Sequence, residues 1–227
     1  MIKIKGFLEN SFVDWPGKIC SVFFLPYCNF RCPYCHNHTL LFHPDRFASL
    51  SLPLILERLS SLRDWVDGVC ITGGEPTLHA DLPSLVREVK GAGFQVKLDT
   101  NGSNPELLQQ MIEAEEIDFI SMDVKAPLDP IDYGRAAGVP VDLRLVSRSI
   151  DILKKGGVEY EFRMTIVPSL HREEDIRDLS RQLKVGKRFI LQNYNPDNPL
   201  DPSLKSILPY ETKALKKLEK EIQTATS

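Results

Sequence analysis

Three of the five cysteines in this 227-residue chain, Cys28, Cys32 and Cys35, fall within eight residues, and His36 and Asn37 follow directly. Thiols this close suit a metal site better than a disulfide. A tight loop does not readily bring two of them to disulfide geometry, and three is an odd number. Two metal chemistries fit the pattern. One is a closed Cys3His zinc site that uses His36 or His38. The other is a [4Fe–4S] cluster, normally held by four thiolates; three would leave one iron open to a further ligand.

Further candidates come in short polar runs, each directly after an apolar one. They are Gly73-Gly74-Glu75-Pro76, Asp99-Thr100-Asn101-Gly102, Asp123-Val124-Lys125, Arg163 ahead of Val167-Pro168, and Gln192-Asn193-Tyr194. Singly each has an ordinary explanation. A Gly pair makes a turn, Asn-Gly is a common turn dipeptide, and an Asp or Arg at a sheet rim forms an ion pair. Their repeated position is what draws them together.

The elements that must position these residues follow from apolar patterning. Short apolar runs predict strands over 19–25, 66–72, 94–98, 117–124, 160–167 and 188–193. Amphipathic runs predict helices over 53–62, 82–91 with Asp81 as N-cap, 105–114, 143–155 ended by Gly156-Gly157, 173–183 and 211–222. The segment after the fourth strand, rich in Pro and Asp, reads as a loop. Alternating strands and helices imply βαβ units and a parallel sheet. Six units are too few for a closed eight-fold barrel. The expectation is an open, partial (β/α)6 TIM-like barrel, with a doubly wound sheet as the alternative. In either fold the active site lies at the C-terminal ends of the strands, where the polar runs fall. Cys20 and Cys70 lie inside strands and read as packing residues.

The composition, 42% hydrophobic and 26% charged, is that of an ordinary globular protein, and a net charge of −3 gives no electrostatic case for nucleic acid. The basic run 213–220 alternates with leucines and acids as a solvated helix face does. The first residues lack the apolar core of a signal peptide, and no apolar run reaches the roughly 20 residues a membrane span needs. Reduced thiols in a cytosolic, membrane-free protein are expected.

Cys-x3-Cys-x2-Cys followed by His-Asn resembles the cluster loop of the radical S-adenosylmethionine (radical SAM) superfamily. The resemblance implies a single domain over 1–227, with a cluster loop at 26–38 and a C-terminal extension from about 195 to 227. It implies one [4Fe–4S] cluster on Cys28, Cys32 and Cys35. Its open iron would chelate S-adenosylmethionine, and reductive cleavage would give a 5′-deoxyadenosyl radical. Gly73, Gly74 and Glu75 look like the motif that holds the methionine amino group. Tyr34 matches the aromatic placed against adenine. Asp99, Asp123, Lys125 and Arg163 match cofactor contacts in activating enzymes of glycyl-radical proteins, and Asn101 joins that set. The family's histidine after the sixth strand has no counterpart; Asn193 or Tyr194 stands near its place. Asp14-Trp15-Pro16-Gly17-Lys18, Phe24-Leu25-Pro26-Tyr27, Leu200-Asp201-Pro202 and Pro209-Tyr210 resemble anaerobic ribonucleoside-triphosphate reductase activating proteins.

That resemblance implies a partner glycyl-radical enzyme, the anaerobic reductase, and a flavodoxin or ferredoxin as electron donor. It implies no catalytic side chain beyond the cofactors. Two other readings stay open. One is a radical SAM enzyme acting on a small molecule, in the manner of 7-carboxy-7-deazaguanine synthase. The other is a zinc or iron–sulfur interaction module without turnover.

Overall fold

The computed structural model describes residues 2–225. Met1, Thr226 and Ser227 lie outside the described residues, so the last two positions of the expected C-terminal extension are not placed. Seven strands are present: β1 Gly6–Ser11, β2 Cys20–Leu25, β3 Gly68–Gly73, β4 Gln95–Thr100, β5 Phe119–Asp123, β6 Glu159–Ile166 and β7 Phe189–Asn193. The helices are α1 His38–Phe42, α2 Leu52–Ser60, α3 Leu82–Gly91, α4 Pro105–Glu113, α5 Pro130–Ala137, α6 Leu143–Lys155, α7 Glu173–Leu183 and α8 Thr212–Ala225. Among the described residues no helix is long and apolar enough to cross a membrane.

The strands form one sheet in chain order, β1 to β7. From β2 onward every neighbouring pair is parallel; β1 runs antiparallel to β2. A doubly wound sheet reverses strand order at its middle, and this order never reverses. The fold is the expected partial barrel with one strand added at its leading edge. Among the described residues β1 and β7 do not pair, so the barrel is open.

The free edge of β7 is occupied by side chains of α8. Leu191 N–H donates to Glu219 Oε2 at 2.7 Å, and Gln223 Nε2 donates to the Phe189 carbonyl at 2.8 Å. Backbone groups that a closing strand would have used are satisfied there instead.

Alternation along the strands separates two faces. Val96, Leu98, Ile120, Met122, Phe162 and Met164 are fully buried in the main core with the helices. Burying such a side chain stabilises the fold by about 1.5–3 kcal/mol. On the concave face, Cys20, Val22 and Cys70 pack around Trp15 as a small separate cluster, all nearly or fully buried. Trp15 packs 6.2 Å from the Phe119 ring and plugs the N-terminal end of the barrel.

One segment corrects its sequence reading. The Pro- and Asp-rich stretch after β5 contains α5. Asp129 is the N-cap and accepts from Ile131 and Asp132 N–H at 2.9 and 3.1 Å, Pro130 takes the first turn, and Gly138 (φ 70°) ends the helix. Pro and Asp here are start signals rather than turn residues. Asp81 does hold the N-cap position of α3, though without a side-chain bond to the first turn.

Candidate functional site

A cavity of about 840 Å³ opens at the C-terminal ends of the strands. Cys28, Cys32 and Cys35 line it, together with Tyr34, Gly73, Gly74, Glu75, Asp99, Asn101, Asp123, Lys125 and Asn193. Arg163 does not line it and lies beneath. The structure thus brings the residues singled out in the sequence around one space, with Arg163 as their support.

The cluster loop leaves β2 through Tyr27, a non-glycine residue at φ 65°. It is held at several points. Gly74 and Glu75 N–H donate to the Leu25 and Tyr27 carbonyls at 2.8 and 2.7 Å. A Cβ on Gly74 would sit 1.7 Å from the Tyr27 oxygen, so only glycine allows this approach. Asn37 Nδ2 donates to the Gly73 carbonyl at 3.0 Å, and Arg31 N–H donates to the Ala137 carbonyl at 2.8 Å. Asn101 Nδ2 donates to Asn29 Oδ1 at 2.9 Å, which ties the end of β4 to the loop. From the C-terminal segment, Asp201 N–H donates to the Pro33 carbonyl at 2.8 Å.

Burial pushes the three thiols up, Cys28 to about 12 and Cys35 to about 11, with Cys32 also raised. They become thiolates only beside added positive charge, which a bound metal group supplies. The three thiols stand on one loop and line one cavity, which fits a cluster held by three thiolates with its fourth iron open to a further ligand.

Glu75 is fully buried, and burial raises its pKa. Its Oε1 accepts from Thr77 N–H, the Thr77 hydroxyl and the Thr100 hydroxyl at 3.0, 2.6 and 2.7 Å; Oε2 accepts from Asn101 N–H at 2.7 Å. A carboxylate has about four acceptor positions, two on each oxygen. Oε2 keeps one for a ligand ammonium.

Across β4, β5 and β6 runs a row of alternating charges. Arg163 Nη2 lies 3.0 Å from Asp99 Oδ2, and its Nε donates to Asp123 Oδ1 at 3.0 Å. Lys125 Nζ donates to Asp123 Oδ2 at 3.2 Å. Burial acts to raise the Asp123 pKa, but the Arg163 and Lys125 cations prevail and hold it at about 2. Burial likewise opposes the charge on Lys125 and Arg163, yet the facing carboxylates keep both well above their ordinary values.

Two expected contacts are already engaged within the chain. Asn193 donates to the Tyr210 carbonyl at 2.6 Å and accepts from Tyr210 N–H at 3.1 Å, which fastens β7 to the C-terminal segment. Tyr34 is buried with its ring edge-on to His171, centroids 6.3 Å apart. His171 Nδ1 accepts from Val167 N–H at 3.1 Å, and burial pushes its pKa down to about 4.

Sequence reasoning missed Lys97, which completes the charged row, and Thr77, which holds Glu75 together with Thr100 of the polar run after the third predicted strand. It also missed Val13 and Thr165 in the cavity wall. Lys97 had a usable signal. It lies two residues before Asp99 on a strand and therefore on the same face.

The radical SAM superfamily model matches residues 22–182. The chain belongs to the radical SAM superfamily, which uses a [4Fe–4S] cluster and S-adenosylmethionine. It is 34% identical over 208 residues to a Methanocaldococcus jannaschii protein provisionally named a glycyl-radical enzyme activating enzyme, covering 90% of this chain and 85% of that one. A Selenomonas ruminantium S-adenosylmethionine-dependent nucleotide dehydratase is 27% identical over 184 residues, covering 74% of this chain and 65% of that protein, just under two thirds. A domain of the pyruvate-formate lyase-activating enzyme of Bacteroides vulgatus superimposes with a TM-score of 0.55 at 18% identity, covering 70% of this chain and 94% of that one. At that identity the likeness concerns the fold.

Proposed function

We propose that this chain activates a glycyl-radical enzyme, and that the partner is an anaerobic ribonucleoside-triphosphate reductase. The observation that carries the reading is a cavity with three thiols on its wall in a barrel left open between β1 and β7. The cavity opens at the C-terminal rim of the strands, a position a polypeptide loop can reach. The Methanocaldococcus relative supports the same class over most of both chains. The reading includes a cytosolic location and a flavodoxin or ferredoxin donor.

Cys28, Cys32 and Cys35 hold the cluster. When bound, the cluster and S-adenosylmethionine supply the radical that removes a hydrogen atom from a partner glycine. The chain's own part is to bind, orient and exclude water. Glu75 Oε2 offers an acceptor to the ligand's ammonium, and Lys125 offers a donor to its carboxylate. Asp99 and Asp123, each fixed by cations below, hold their positions as the ligand arrives. Trp15 keeps solvent from entering through the barrel floor. No acid–base pair is required, because a hydrogen atom rather than a proton is moved.

The test is EPR of reduced, anaerobic protein mixed with its candidate reductase. A glycine-centred doublet, lost when the partner's radical glycine becomes alanine, is the expected result. The nucleotide dehydratase relative favours a second reading, a small-molecule substrate. Rapid 5′-deoxyadenosine release with a nucleotide, and no radical on the partner, would move the assignment there.

A further inference from the structure

The most unusual side chain outside the expected site is Lys97. It sits in the middle of β4, points to the concave face and is completely buried. Its Nζ donates to Asp99 Oδ1 and lies 3.7 Å from Cys70 Sγ. A buried ammonium is costly unless a carboxylate compensates it closely, and here Asp99 does so. Asp99 in turn lines the cavity and has its second oxygen held by Arg163. One cation thus grips each Asp99 oxygen, both from the sheet side. The carboxylate is fixed in place and unable to rotate.

We infer that Lys97 is a positioning residue for S-adenosylmethionine, acting through Asp99 without touching the ligand. Two features of the row give it that role. Arg163 is shared between Asp99 and Asp123, so it cannot serve Asp99 alone. Lys97 makes no polar contact with Asp123 or with the cavity. Without Lys97, the Asp99 carboxylate is free to swing about its bond to Arg163 and draw that guanidinium away from Asp123. The row also loses one positive charge opposite Glu161, which bonds Ser121 at 2.7 Å on the same face and acts electrostatically on Arg163. A ligand carrying a carboxylate then meets a more negative wall.

The inference rests on Asp99 facing the cofactor, and the experiment separates the two claims. Cluster-reconstituted wild type, Lys97→Met, Asp99→Asn and the double variant are titrated with S-adenosylmethionine by anaerobic calorimetry. Iron content and thermal midpoint are measured on each. Lys97→Met keeps most of the volume and removes the charge; Lys97→Gln serves in its place if Lys97→Met does not fold. The expected result is a loss of affinity of about tenfold for Lys97→Met at unchanged iron content, since charged hydrogen-bond networks typically act on that scale. In the Asp99→Asn background, Lys97→Met changes affinity no further. Cys70→Ala, which removes the other Lys97 contact, retains wild-type affinity.

Normal affinity in Asp99→Asn would sink the site reading itself. Weakened Asp99→Asn with normal Lys97→Met would sink only the role of Lys97. A tenfold loss that persists in the Asp99→Asn background would show that Lys97 acts independently of Asp99 and would overturn the inference as well.

Discussion

The cluster loop and the charged row face the same cavity and meet opposite electrostatic demands. The row is complete within the chain. Asp99 and Asp123 alternate with Lys97, Arg163 and Lys125, and neighbouring cations hold Asp123 down at about 2. The loop is incomplete without added charge: burial pushes its thiols up, and Lys125 and Arg31 offset only part of that. The difference also lies in construction. The row stands on three hydrogen-bonded strands. The loop is irregular chain pinned by scattered bonds from β3, β4, α5 and the C-terminal segment. A site built on strands is fixed by the fold, whereas a site built on a loop becomes complete only with its cofactor.

The largest expected effect breaks this contrast at the loop. Cys32→Ala removes one of three ligands, and iron content measured after anaerobic reconstitution should fall to background. Its urea midpoint without iron should stay close to that of the iron-free wild type, since one small buried thiol is lost. Stoichiometric iron in Cys32→Ala would show that the loop is not the cluster site.

Next is the row. Asp99→Ala leaves a completely buried ammonium at Lys97 without its carboxylate, and breaking such a pair costs about 3–5 kcal/mol. Chemical denaturation of the iron-free protein should report that loss. The contrast is thus that the loop variant loses its cofactor and the row variant loses stability. Equal stability of Asp99→Ala and Cys32→Ala would erase the distinction.

The smallest effect sharpens the contrast through pH. His171, behind Tyr34 on the loop side, has a folded pKa near 4, below its ordinary 6.5. Its contribution is present above pH 6.5 and is lost as pH falls toward 4, on the order of 3 kcal/mol at most. Asp123 is depressed from 3.8 to about 2, so its contribution holds above pH 4 and is lost only as pH falls through 2. The loop side should therefore weaken first on acidification. His171→Gln should flatten stability between pH 6.5 and 4 while leaving the fall below pH 4 intact. An unchanged slope in the upper window would assign that acid sensitivity to other groups.

Much of the architecture is readable from the chain. Each of the six βα units pairs a β-branched or aromatic run with an amphipathic one, and the six parallel strands fall within two residues of their predicted ends. β1 escaped notice because Gly-Phe-Leu-Glu-Asn-Ser is half polar, and only its last residue is buried, as suits an edge strand. The five-residue α1 is too short to show a helical period. The polar runs are legible because only strand ends need such residues. Lys97 is less so: its spacing puts it on the face of Asp99, but Val-Lys-Leu-Asp also fits a strand with one solvated face, and only the depth of the fold shows that this face is interior. The pairings of Glu75 with Thr77 and Thr100, and of Asn193 with Tyr210, depend on tertiary approach, which local sequence does not encode.

The side chains of α8 along β7 have a consequence for assembly. Strand-by-strand growth of a sheet requires an acceptor edge on both sides of every copy. Glu219 and Gln223 already satisfy the backbone at Leu191 and Phe189. A copy added at β1 would present no second edge to the next. Stacking through this sheet would stop at two copies, so the barrel stays open on one side without becoming the seed of a fibre.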